Sequence, residues 1–147
     1  MSVNTKPLKV LLFKNENIYL CYSSLTFILP GFYGISKKEY YVAPLILLGT
    51  PISINFWRNP KYDWKRMLDI WYVKLTIPLF IINSNKIKNK YIFASVPITL
   101  MMAAYLFEKS CKEYYINNPQ WICYHLAFHG CCFLSHTINI MANVHKM

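Results

Sequence analysis

The feature that most constrains this chain is the spacing of its charges. Lys and Arg gather in short clusters, and between them run apolar stretches without formal charge. The clusters are Lys6, Lys9 and Lys14; Lys37 and Lys38; Arg58, Lys61, Lys65 and Arg66; Lys86, Lys88 and Lys90; and Lys109 with Lys112. About 20 apolar residues in a helix cross a bilayer. Stretches of about that length occupy residues 17–36, 40–57, 69–85, 91–107 and 120–141. The third is short and carries one internal charge, Lys74. The spacing therefore predicts an all-α, multi-span transmembrane bundle of about five helices in one integral membrane domain over residues 1–147.

Composition agrees. The chain is 55% hydrophobic, 17% aromatic and 15% charged, with a mean hydropathy of +0.23. A soluble domain carries about 25% charged residues. A net charge of +10 raises the question of nucleic acid, but cations placed at span ends meet anionic lipid head groups instead. The partner expected is the lipid bilayer, with no nucleic acid. Nine Lys/Arg on the N-terminal side against six on the other favour a cytoplasmic N-terminus by the positive-inside rule. Phe and Tyr crowd the candidate cleavage positions after the first span, so it reads as a retained span and not a signal peptide. The odd count of five cysteines, most of them in or near apolar runs, argues against a disulfide scaffold.

Prolines stand inside the spans at Pro30, Pro44, Pro51, Pro78 and Pro97. Membrane helices tolerate them because neighbouring groups re-satisfy the freed carbonyls. Kinks are expected near Pro44/Pro51, Pro78 and Pro97.

The last span, "WICYHLAFHGCCFLSH" at its start, holds His125, His129 and His136 without a single formal charge. At about 100° per residue from His125, His129 falls at roughly 40°, Cys132 at roughly −20°, His136 at roughly 20°, Asn139 near −40° and Asn143 near 0°. These polar residues form one narrow stripe. Ile122, Leu126, Phe128, Phe133, Leu134, Ile138 and Ile140 are assigned to the other sides. The stripe is expected to face protein or water, and the remainder lipid. Two explanations stay open. Polar side chains bind helices together across membrane interfaces; and imidazoles at i and i+4 can share a metal ion. A third use, a proton path or channel lined by titrating histidines, follows from the same stripe.

Further residues enter as site candidates. Asp69, where the third span begins, is either a functional carboxylate or an interfacial one held by Arg66 or by the helix N-terminus. Ser53 and Trp57 close the second span one turn apart; Trp57 reads as an interfacial aromatic.

Ser53 near the end of one span, Asp69 in "RMLDIW" at the start of the next, and His125 and His129 in "YHLAFH" of the last resemble the alkaline ceramidase and progestin/adiponectin receptor superfamily of membrane hydrolases. The order along the chain also agrees. That resemblance implies Ser53 and Asp69 as catalytic residues, His125 and His129 as metal ligands, zinc as cofactor, and a lipid amide or ester as substrate. Two features depart from the pattern. Trp57 stands where the superfamily has its first zinc histidine, and five spans are counted where the superfamily has seven. The expectation for function is a small membrane protein with a structural or interaction role; the alternatives are a zinc-dependent lipid hydrolase, active or inactive, and a histidine-lined channel.

Overall fold

A computed structural model describes residues 16–144 except Tyr62, and for Asn143 and Val144 the backbone alone. Six helices follow one another: α1 (Glu16–Leu25), α2 (Ile28–Ser36), α3 (Ala43–Trp57), α4 (Trp64–Ser84), α5 (Lys90–Tyr115) and α6 (Trp121–Val144). No strand occurs among the described residues. Helices α1 and α2 together replace the expected first span, so the five apolar segments correspond to five helical units. Three of them, Glu16–Ser36, Trp64–Ser84 and Lys90–Tyr115, are long and apolar enough to cross a membrane, and α3 is a shorter apolar helix.

The boundaries moved for local reasons. The break between α1 and α2 comes from Pro30. Its ring clashes with the carbonyl four residues earlier, that of Thr26, and it has no N–H to give. The Thr26 carbonyl accepts from Leu29 N instead, at 3.1 Å. Pro51, Pro78 and Pro97 lie inside helices that run on through them, and Pro44 sits in the first turn of α3, where a missing N–H costs nothing. The interruption of a helix therefore falls at Pro30. Helix α4 begins at Trp64, five residues earlier than expected, because Asp63 caps it by accepting from Lys65 N at 2.9 Å and Arg66 N at 3.4 Å. Helix α5 runs beyond residue 107; the exposed pair Glu108–Lys112, 2.8 Å apart at i,i+4, lies on the added turns. Asn117, at φ 58°, then turns the chain sharply towards α6.

Helix α6 is the centre. It packs along α5 over most of its length, and also touches α1, α2 and α4. Helix α3 is seated between the α1/α2 unit and α4. Helix α4 closes the ring against α5 and α6 along a thin seam. Two clusters fill the interior. One joins Val42, Ile46, Phe80, Val96, Leu100 and Ile140; the other joins Leu20, Phe56, Trp57 and Trp121. Two glycines permit close approach. A Cβ on Gly34 would lie 2.7 Å from Ala43 Cβ and 3.1 Å from Ile140 Cδ1. A Cβ on Gly49 would lie 2.9 Å from the ring of Tyr72, whose hydroxyl donates to the Leu45 carbonyl at 2.5 Å. Ile140, assigned from the sequence to the outer sides, is instead fully buried, because Gly34 leaves a notch for it.

Candidate functional site

The polar edge of α6 is turned inward. His125 and His129 are 5% and 6% exposed and Asn139 is fully buried, while Cys132 and His136 are half-buried. Leu134, on the outer side, is 53% exposed. The Asn143 side chain lies outside the described residues.

Each imidazole has a defined set of neighbours. His125 Nδ1 hydrogen-bonds the Ser110 hydroxyl of α5 at 3.1 Å. His129 Nδ1 hydrogen-bonds the Ser23 hydroxyl of α1 at 2.7 Å. The two rings are 5.1 Å apart, edge to face. His136 stacks on Phe80 at 4.1 Å and lies 5.6 Å from Phe27. Further along, Asn139 accepts from Asn83 Nδ2 at 2.8 Å and donates to the Phe80 carbonyl at 2.9 Å, which ties α6 to α4. Phe27, Phe80, Phe107 and Phe128 all lie against these imidazoles. Aromatic rings thus pack against each imidazole of the stripe.

Ser53 meets Asp69, and Asp69 shares a cavity with His125. The Asp69 carboxyl faces the Ser53 hydroxyl and the Arg66 guanidinium. Ser53 Oγ is also 3.2 Å from Ser24 Oγ of α1. Asp69, Arg66, Ser110 and His125 share one cavity of about 220 Å³ between α3, α4, α5 and α6. The interfacial reading of Asp69 is thus met in part: Arg66 is its neighbour, but Asp63 caps the helix and Asp69 lies in its second turn.

Trp57 is not an interfacial aromatic. It is 7% exposed, with its ring 4.5 Å from Phe56 and 4.8 Å from His125. An indole thus packs on the first imidazole at the position where the resemblance would have a third ligand. A catalytic zinc takes three protein ligands and a water. Among the described residues no three His, Cys, Asp or Glu side chains are grouped to hold a metal ion. The residues present do not fit a resident zinc, so His125 and His129, expected as its ligands, are placed as hydrogen-bonding members of the seam.

Sequence reasoning missed Ser23, Ser24 and Ser110. Serines in apolar runs are common, and nothing in their spacing announces which one meets a histidine on another helix. It also missed Trp121, 4% exposed and with its ring 6.2 Å from that of His125. No family model, no curated protein and no solved structure matches this chain.

Proposed function

We propose that the chain is a multi-pass integral membrane protein with a structural or interaction role, in which α6 is a central polar strut. The observation that carries this reading is that His125, His129 and Asn139 on the inward edge of α6 are hydrogen-bonded to other helices. Ser23, Ser110, Asn83 and the Phe80 carbonyl engage its polar groups. Interhelical hydrogen bonds of this kind are how membrane helices hold register, at about 0.6 kcal/mol each on average. Three helices of spanning length and composition support the membrane assignment. Helices α3 and α6 bring the count to five crossings, with α3, about 22 Å long, at the thin limit of a core roughly 30 Å thick. An odd number of crossings puts the termini on opposite sides, the N-terminus in the cytoplasm. Extraction at alkaline pH tests membrane integration: the protein stays with the lipid pellet. Glycosylation sites inserted in the 58–63 and 116–120 loops test the crossings: both loops stay unglycosylated, whereas a site in the 85–89 loop is modified.

A second reading, a lipid amide or ester hydrolase, is supported by Asp69 and His125 lining one cavity, with Ser53 beside Asp69. It lacks a third metal donor. Metal analysis of detergent-purified protein separates the two readings. The structural reading expects well below one zinc per chain and no turnover of lipid amides or esters; about one zinc per chain, lost in His125→Ala, together with turnover lost in Asp69→Asn, would establish the hydrolase instead.

A further inference from the structure

Lys74 stands in the middle of α4, which runs from Trp64 to Ser84. At 1.5 Å per residue it lies about 15 Å from either end of the helix. Its side chain is exposed, on the side that meets lipid when α4 spans. A cation at that depth is costly, and snorkelling to the interface serves lysines near helix ends. The Trp71 ring lies 5.2 Å from the ammonium, and no ion pair to Lys74 occurs among the described residues. Lys74 also borders the cavity, whose carboxylate, Asp69, faces Ser53 and Arg66 instead. Pro78, four residues on, has no N–H to give to the Lys74 carbonyl. The Thr76 hydroxyl donates to the Tyr72 and Val73 carbonyls and not to that of Lys74. A second polar group at mid-span therefore lacks its helical donor.

The residues around Lys74 form a seam. Met67, Trp71, Lys74, Pro78 and Ile81 follow one another at alternating steps of four and three, and all of them are exposed. At about 100° per residue they fall within an arc of about 80°. This is the spacing with which one helix packs along another in a left-handed pair.

We propose that this face of α4 docks a transmembrane helix of another protein that carries an Asp or Glu at mid-span, paired with Lys74. Depth and charge together select that partner. Lipid phosphates lie at the interface, about 15 Å from the middle of the hydrocarbon core, so no head group meets the ammonium. A second copy would set Lys74 against Lys74 if α4 met α4, and like charges repel. Nor does a copy offer a carboxylate at that depth from another outer face. Glu16 opens α1, Glu39 lies between α2 and α3, Asp63 caps α4, and Glu108 and Glu113 stand in the closing turns of α5. Asp69 is turned to Ser53 and Arg66. A single charge at the centre of an apolar seam also fixes register and rejects helices without a carboxylate.

The proposal rests on the membrane reading above. A protein released by alkaline extraction would defeat that reading; an integral protein that fails the following test would lose the docking face alone. Full-length protein is reconstituted in phosphatidylcholine vesicles with a synthetic leucine-rich helix of about 20 residues. The helix carries one central Glu and, beside it, one photoreactive diazirine residue. Light is expected to join it to seam residues of α4, identified by mass spectrometry. Helices with a central Leu or a central Lys label the seam about five- to thirtyfold less, the range for one polar contact between membrane helices. Lys74→Leu lowers labelling by the Glu helix by the same factor. That change removes a charge from an apolar face and does not threaten folding. Lys74→Glu reverses the preference, so that the Lys helix labels best. Equal labelling by the three helices on the unsubstituted protein, or label spread over the outer faces of α5 and α6, overturns the proposal. A photoreactive methionine analogue in place of Met67 that joins two copies, undisplaced by the Glu helix, overturns it as well and assigns the face to a second copy.

Discussion

The two ends of α6 carry the same kind of polar edge but pack differently. At the Asn139 end, two amides and a backbone carbonyl are joined directly, Ile140 fills the Gly34 notch, and the surrounding side chains close completely. At the His125 end, the polar groups meet single serine hydroxyls, indoles stand beside the imidazole with unengaged N–H groups, and a cavity remains. The difference lies in what the neighbours bring. Asn83 donates to Asn139, which donates in turn to the Phe80 carbonyl, while Asn83 Oδ1 has no partner among the described residues. At the His125 end the Trp57 and Trp121 N–H groups are also without partners among the described residues, and both residues line a cavity. The direct joint belongs to the first end and the cavity to the second.

Substitutions can break or sharpen this contrast. The largest effect is expected for Asn139→Leu, which strands the Asn83 amide and the Phe80 carbonyl in the core; a loss of about 2–3 kcal/mol in reversible unfolding is expected. Next is Gly34→Ala, whose new methyl meets Ala43 and Ile140 at the distances given above and should cost about 1–2 kcal/mol in the same assay. Ser23→Ala removes the partner of His129 Nδ1 and should cost about 1 kcal/mol. Ser110→Ala should cost less than that, because His125 borders a cavity where a water can replace the hydroxyl. Ala104→Leu, on the exposed cavity rim, should stay within about 0.5 kcal/mol. An equal loss for Ser110→Ala and Asn139→Leu would erase the distinction between the ends.

Much of this was legible in the residues themselves. The helical class follows from charge-free runs, and the inward edge of α6 follows from 100° spacing of His125, His129 and Asn139. Element ends were not legible from charge-free runs, because a helix does not stop where charge begins: Asp63 caps α4 ahead of Lys65 and Arg66, and α5 continues through Glu108 and Lys112. Ile140 was misassigned because a position beside the polar stripe is decided by the facing helix, here by a missing Cβ at Gly34. The partners of the stripe lie 15 to 106 residues away in sequence, and a single serine carries no periodicity to reveal them. Trp57 was misread because its burial depends on how α3 meets α6, which one helix's pattern does not contain.

The account stands on the inward setting of α6, and a cross-link measures that directly. In a protein with its five native cysteines replaced, Asn83→Cys with Asn139→Cys is treated in membranes with a short thiol-reactive linker, and the joined peptides are identified by mass spectrometry. Efficient linkage is expected for this pair, and none for Asn83→Cys with Leu134→Cys, whose partner points outward. Linkage through position 134 in preference to 139 would contradict the account.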